Sequence, residues 1–228
     1  MEVYTFVVRD GAVIDLHRYL DSWRERGLSH SKLNKLRIRL AQVSGTRRAV
    51  LEVANEDYSL SLRPLAARPE EIVVDSAGIV DKRENPTRRG EDLGWQHGQL
   101  ARVSADDGLL IDEAGRIISS IVAPIVMIKD GAAHISAHPR TTPSVALEGV
   151  LEILEEQNVE IRFKELGFAR AELMSTETWL VSPLYGVRLV SGWLEYGGVV
   201  PARTGVDRMG VPTHREVNQL RDQRWENA

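Results

Sequence analysis

Four basic side chains crowd one polar stretch of this chain: Lys82, Arg83, Arg88 and Arg89. Guanidinium groups fork onto carboxylates and phosphates, so the cluster suits a small anionic ligand. Interleaved with Glu84, Glu91 and Asp92, it suits a solvated loop equally well. Tyr185 and Arg188 offer a second pairing, in which a phenol donates a hydrogen bond or a proton and a guanidinium grips a carboxylate. His97, within Gly94-Trp95-Gln96-His97-Gly98, is a candidate general acid or base, or an ordinary helix histidine. His134 and His138 have the four-residue spacing of metal ligands on a helix, but Pro139 places them on a strand or loop. That spacing carries no such meaning there, no third ligand is evident, and a metal site is rejected.

An amine nucleophile can be sought exhaustively, because the chain has only five lysines: Lys32, Lys35, Lys82, Lys129 and Lys164. Lys129 falls in a turn, Lys32 and Lys35 on an early helix, and Lys164 at a strand end. Only Lys82 lies near the basic segment. The absence of cysteine excludes disulfides, thiolate metal sites and a cysteine nucleophile.

The elements that must position these groups follow from patterning. Residues 2–8 read as a strand, Arg9-Asp10-Gly11 as a hairpin turn and residues 12–14 as its return. Asp15 is a candidate cap for a helix with Leu16, Tyr19, Leu20 and Trp23 on one face, and Ser31 for a second helix to residue 43. Residues 48–53 and 58–62 read as paired strands, and 72–74 as another. A polar linker over 76–92 leads into a helix over 91–103. Strands are expected at 108–111, 116–119, 122–128, 132–136, 159–163 and 178–182. A helix opens at Pro143-Ser144 with Val145, Leu147, Val150, Leu151 and Leu154 as its apolar stripe. A short helix is expected over 168–173. Residues 187–190 and 193–196 read as a last hairpin-like pair, and a helix begins at Thr213.

This order predicts an α/β protein of the α+β type with mixed or antiparallel sheets rather than a doubly wound parallel sheet. A small N-terminal α/β domain occupies residues 1–80, a linker 81–90 and a larger strand-rich domain 91–228. With 43% hydrophobic and 27% charged residues the composition is that of a globular protein. No apolar run reaches the roughly 20 residues of a membrane span, and no signal peptide is evident, so a cytoplasmic location is expected. The net charge of -4 gives no support to nucleic-acid binding, although the second helix carries Lys32, Lys35, Arg37 and Arg39.

Three stretches carry a family resemblance. The first is Gly108-Leu109-Leu110-Ile111-Asp112-Glu113-Ala114-Gly115-Arg116-Ile117, followed by an apolar strand and Lys129-Asp130-Gly131. The second is Thr142-Pro143-Ser144-Val145 before an amphipathic helix. The third is Glu177-Thr178-Trp179-Leu180-Val181-Ser182 before Leu184-Tyr185-Gly186-Val187-Arg188. With the opening hairpin and Asp15-Leu16-His17-Arg18-Tyr19-Leu20, their order resembles the fold-type IV pyridoxal-phosphate enzymes. These include the branched-chain and D-amino-acid aminotransferases and aminodeoxychorismate lyase, and the last stretch is most similar to the lyase-like branch. The resemblance covers nearly the whole chain, and the N-terminal domain is expected to be truncated, lacking the family's opening strands that would precede Met1. It implies a class IV aminotransferase-like two-domain fold, a homodimer, and a cleft between the domains.

The resemblance also implies where cofactor groups should stand, and five positions depart from it. The Schiff-base lysine falls on Arg89, whose delocalised guanidinium makes no imine. The glutamate that pairs with the pyridinium falls on Ser119. The phosphate arginine of the first helix falls near Ser22, the threonine opening the later helix on Ala146, and a second phosphate-site threonine on Pro183, which has no N–H. The helix start at Ser144, Val145 and Ala146 remains able to bind an anion. Tyr185 and Arg188 match a part of the fold that lines the substrate pocket in the lyase-like branch. The expectation is a repurposed enzyme that uses no pyridoxal phosphate and acts on an anionic small metabolite by elimination, rearrangement or condensation. Arg89, Arg188, Arg88 and Ser119 would bind substrate, while Tyr185 or His97 moves protons. Two alternatives stand beside it: a pyridoxal-phosphate aminotransferase or lyase using Lys82, and a non-catalytic binding protein.

Overall fold

The computed structural model describes residues 1–205 and 208–228. The chain opens with β1 (Glu2–Arg9) and β2 (Ala12–Ile14), joined by a two-residue turn in which Asp10 and Gly11 both take positive φ. That geometry matches strand twist and favours Asp-Gly. A Cβ at Gly11 would lie 2.8 Å from the Ala41 carbonyl oxygen, so the turn also needs glycine for close approach. Next come α1 (Leu16–Glu25), α2 (His30–Ala41), β3 (Thr46–Ala54) and β4 (Asp57–Pro64). Strict alternation along β1 buries Tyr4, Phe6 and Val8, and α1 answers with Leu16, Tyr19 and Trp23. Tyr4, Phe6, Tyr19 and Trp23 form an aromatic cluster with centroids 5.0–6.0 Å apart. Such pairs add about 1 kcal/mol each beyond the area they bury.

Both expected caps of these helices are corrected. Asp15 sits at the N-cap of α1 in the left-handed region and makes no capping bond; its carboxylate instead lies 3.6 Å from Arg224. The cap of α2 is Ser29, not Ser31: Leu28 is buried, the chain turns immediately after it, and the Ser29 hydroxyl accepts from Lys32 N–H.

The second half begins with β5 (Glu71–Val80), α3 (Leu93–Leu100), β6 (Asp107–Ile111), β7 (Ile117–Ser120), β8 (Ile125–Lys129) and β9 (Ala132–Ser136). It continues with α4 (Val145–Glu156), β10 (Glu160–Lys164), α5 (Arg170–Met174), β11 (Glu177–Ser182), β12 (Gly186–Glu195) and β13 (Gly198–Pro201), and closes with α6 (His214–Arg221) and β14 (Trp225–Asn227). The first sheet has the order β14-β2-β1-β3-β4 and is wholly antiparallel. The second has the path β10-β9-β8-β11-β12-β5-β6-β7, with β13 beside β12, and mixes parallel with antiparallel pairs. An α+β architecture with two sheets, one antiparallel and one mixed, is thus present.

The sheets divide the chain differently from a cut at residue 80. β5 belongs to the second sheet, paired between β12 and β6, and β14 returns to the edge of the first. The polar stretch after residue 75 is therefore partly strand. The expected hairpin over 187–196 is one continuous strand, β12. Ser191-Gly192 reads as a turn, but β5 and β13 hold the chain extended and the register shift is absorbed between Val190 and Gly192. On α4 the buried face includes Ile153, beside Val150 and Leu154, whereas Leu151 is only partly buried. No helix among the described residues is long and apolar enough to cross a membrane.

Candidate functional site

Arg89 reaches its place through a chain of constraints. Asp81, just past β5, has a side chain with no exposed surface. It accepts from Arg83 Nε and Nη2, each at 2.9 Å, and from Arg140 Nε at 2.8 Å. Burial alone would raise its pKa; the bonds from Arg83 and Arg140 outweigh that and hold it to about 2. Arg83 also donates to the Thr142 hydroxyl at 2.7 Å and the Arg140 carbonyl at 2.8 Å, and Thr142 donates to the Pro86 carbonyl. This network ties the segment after β5 to the segment entering α4. Asp92 then closes the intervening loop by accepting from the backbone N–H of Glu84 and Asn85, each at 3.0 Å.

The loop finally crosses the edge of β1. Val3 N–H donates to the Arg89 carbonyl at 3.0 Å. Gly90 follows with φ +82°, and a Cβ there would fall 2.5 Å from Val3 Cβ. The crossing throws the Arg89 guanidinium over the ring of Tyr4, 5.0 Å from its centroid. Among the described residues no carboxylate pairs with it, whereas its neighbour Arg88 is exposed and pairs with Glu91 at 2.9 Å.

Arg89 stands between two cavities. One, of about 150 Å³, is bounded by Val3 and Thr5 of β1, Leu93 and Gln96 of α3, the turn from β7 to β8, residues 141–144 and Pro183. The other, of about 320 Å³, lies along α1 and holds Tyr4, Arg18, Ser22, Arg26 and Glu148. The first wall is built by Asp107, which is fully buried. Its carboxylate accepts from the Ser120 hydroxyl at 2.8 Å, Gly108 N–H at 2.8 Å and Ile121 N–H at 3.2 Å. Burial pushes it up to about 6, against the pull of those donors and of Arg188. Gln96 Nε2 donates to the Ile121 carbonyl at 2.5 Å and fastens α3 to the same turn.

The cavity between β1 and the β7–β8 turn gathers Arg89, Ser119, Ser144 and Pro183, four of the positions that the sequence singled out. Ser22 lies in the cavity along α1, and Ala146 is buried inside α4. Ser119 is nearly buried and donates to the Ser120 carbonyl at 2.8 Å. Ser144 caps α4 by accepting from Leu147 N–H at 3.2 Å. Arg83 borders the cavity with its donors already committed. Other expected groups lie outside this lining: His97, Lys82 and Arg88 are exposed, and Tyr185 borders another cavity, beneath α6. Arg188 is buried on β12, its Cζ 5.6 Å from the Tyr185 ring centroid, and lines neither cavity beside Arg89.

No family model matches the chain and no curated protein matches it. Solved structures match along almost all of it. 4-Amino-4-deoxychorismate lyase from Pseudomonas aeruginosa superposes with a TM-score of 0.71 and 20% identity, over 97% of this chain and 90% of that one. This chain has the fold of the fold-type IV pyridoxal-phosphate enzymes. A putative branched-chain amino acid aminotransferase from Thermotoga maritima matches with a TM-score of 0.71 and 14% identity, over 97% of this chain and 84% of that one. A hypothetical aminotransferase from Mycobacterium tuberculosis in its pyridoxal-phosphate-bound form matches with a TM-score of 0.70 and 14% identity, over 97% and 87%.

The residues present fit the fold's cofactor poorly. Covalent attachment needs an amine, and no lysine lines either cavity beside Arg89. Lys129 and Lys164 both hold Glu172, at 3.2 and 2.6 Å, and Lys32 holds the Glu56 carbonyl at 2.7 Å. Among the described residues no carboxylate lines the cavity that holds Ser119, the position at which the resemblance sets the pyridinium's partner. Sequence reasoning missed the roles of Asp81, Arg140, Thr142 and Gln96. The charged run around Asp81 looks solvated in one dimension, and nothing local links it to Arg140.

Proposed function

We propose that this chain is a repurposed fold-type IV protein that binds a small carboxylate- or phosphate-bearing metabolite at Arg89 without pyridoxal phosphate. One observation carries the reading: a guanidinium held in a cleft by a buried network, with no carboxylate paired to it among the described residues. A cation so placed is preorganised to fork onto an incoming anion, and the adjacent start of α4 offers free N–H groups to the same charge. Association into a homodimer belongs to this proposal.

Catalysis is the second reading, favoured by the cavity along α1. Among the described residues the lining shared with Ser119 holds no histidine, tyrosine or carboxylate to carry a proton. Arg89 also borders the cavity that holds Tyr4 and Glu148, where an anchored substrate meets groups able to move a proton during elimination or rearrangement.

The test is incubation with pyridoxal phosphate followed by borohydride, beside calorimetric titration with malonate and with inorganic phosphate. The expected result is no phosphopyridoxyl-lysine, with binding of one of the two anions weakened at least about tenfold in Arg89→Met. A lysine adduct, on Lys82 or any other, overturns cofactor independence. Anion affinity equal in wild type and Arg89→Met overturns the site.

A further inference from the structure

A third cavity, of about 190 Å³, lies where α6 and β14 meet the first sheet, and Arg89 is not part of its lining. Its wall contains Arg221, the last residue of α6, which is only 8% exposed. Arg221 forms no salt bridge within 4.0 Å and no side-chain hydrogen bond with a described residue, and its Nε is buried without a partner. Asp15 and Asp222 act on it only through longer-range attraction. Its Nη1 lies so close to Gly186 that a Cβ there would sit 2.9 Å away. Tyr19, 4% exposed, lines the same cavity, and its hydroxyl makes no hydrogen bond with a described residue. Arg221 and Tyr19 therefore line one space, neither side chain bonded to an acceptor among the described residues. A buried cation with neither counter-ion nor hydrogen bonds costs several kcal/mol, and such a cost is characteristic of binding sites.

The rest of the wall defines what accompanies the anion. Phe6, Tyr185 and Trp225 present aromatic surface around the two donors. Arg9 stacks on Trp225, 4.5 Å from the ring centroid, and adds positive charge at the rim. Two carboxylates also border the cavity: Glu70 lies 3.5 Å from Arg215, and Asp222 is exposed to solvent. The cavity is smaller than the roughly 300 Å³ at which drug-sized pockets begin, so its ligand is small.

We propose that this cavity is a binding site for a single-ring aromatic carboxylate, its carboxylate held by Arg221 and Tyr19 and its ring by Tyr185 and Trp225. The site shares Pro183 with the Arg89 cavity, and Tyr19 feels the Arg89 charge, so the two sites are neighbours that Arg221→Met and Arg89→Met tell apart.

Benzoate is the probe, titrated into the full chain with tryptophan fluorescence as readout and Trp225→Phe to identify the reporter; inorganic phosphate is the comparison. Benzoate quenches Trp225 and raises the Tm of the wild type. Arg221→Met weakens its binding at least about tenfold, the loss expected of a charge-assisted pair, and Tyr19→Phe about threefold to tenfold. The ligand-free Tm of Arg221→Met is equal to or above that of wild type, because a costly unpaired charge is gone. Four results overturn the proposal: no benzoate binding at millimolar concentration, binding unchanged in Arg221→Met, phosphate binding as tightly as benzoate, or a large fall in Tm on Arg221→Met.

Discussion

The Arg89 guanidinium lies over the ring of Tyr4, 5.0 Å from its centroid, while the Tyr4 hydroxyl bonds Glu2 at 2.9 Å and Ser22 at 3.0 Å. The ring thus supports the cation from below, and the hydroxyl serves a separate network. Tyr4→Phe keeps the support and is expected to leave anion affinity within about twofold, at a stability cost of about 1–2 kcal/mol for the lost bonds. Tyr4→Leu removes the ring and is expected to weaken anion binding about threefold to thirtyfold. Calorimetric titration of both variants, beside denaturant unfolding, separates the two roles.

Gly90 makes the crossing that aims Arg89. Gly90→Ala introduces a Cβ at φ +82° and 2.5 Å from Val3 Cβ, with Val3 backbone nitrogen 2.9 Å away. The left-handed conformation costs about 1 kcal/mol and the overlap about 1–3 kcal/mol more. The expected outcome is a fall in stability of that size, with weaker anion binding as the loop lifts from β1. Loss of stability with unchanged affinity would show that the crossing does not position Arg89.

Asp81 anchors the loop electrostatically, and its pKa sets the sign of a pH effect. It is held to about 2, against an ordinary value of 3.8. A depressed folded-state pKa stabilises above the unfolded value and is lost as pH falls through the folded one. Its contribution, on the order of 2 kcal/mol, is therefore complete above about pH 5 and disappears between about pH 4 and pH 2. Asp81→Asn leaves Arg83 and Arg140 short of their counter-charge and is expected to cost about 3 kcal/mol at neutral pH. Unfolding of both proteins from pH 7 to pH 2 should show the difference shrinking on acidification. A constant difference would mean that ionised Asp81 does not hold the loop.

Much of the fold was legible because it rests on local pattern. Alternation along Tyr4, Phe6 and Val8, the Asp10-Gly11 turn and the apolar stripe of α4 each declare an element within a few residues. Arg89 was legible as a departure from a resemblance, through its residue type alone. Caps and strand limits read less well, because Ser29 and Ser31 differ only in what the neighbouring Leu28 buries. The break expected at Ser191-Gly192 is overridden by strands on both sides.

The sequence by itself determined most element types, the hairpins of the first sheet, and an arginine at the position where the resemblance sets an imine-forming lysine. Only the tertiary structure decided which charges are available. Arg83 and Arg89 lie six positions apart with the same side chain, yet one is buried against Asp81 and Thr142 while the other faces two cavities unpaired. It likewise separated Tyr185 from Arg89 and joined it to Arg221 and Tyr19. The cause is that hydrogen bonding and desolvation depend on partners tens of residues away in the chain, such as Arg140 for Asp81. No local pattern of residues records those partners.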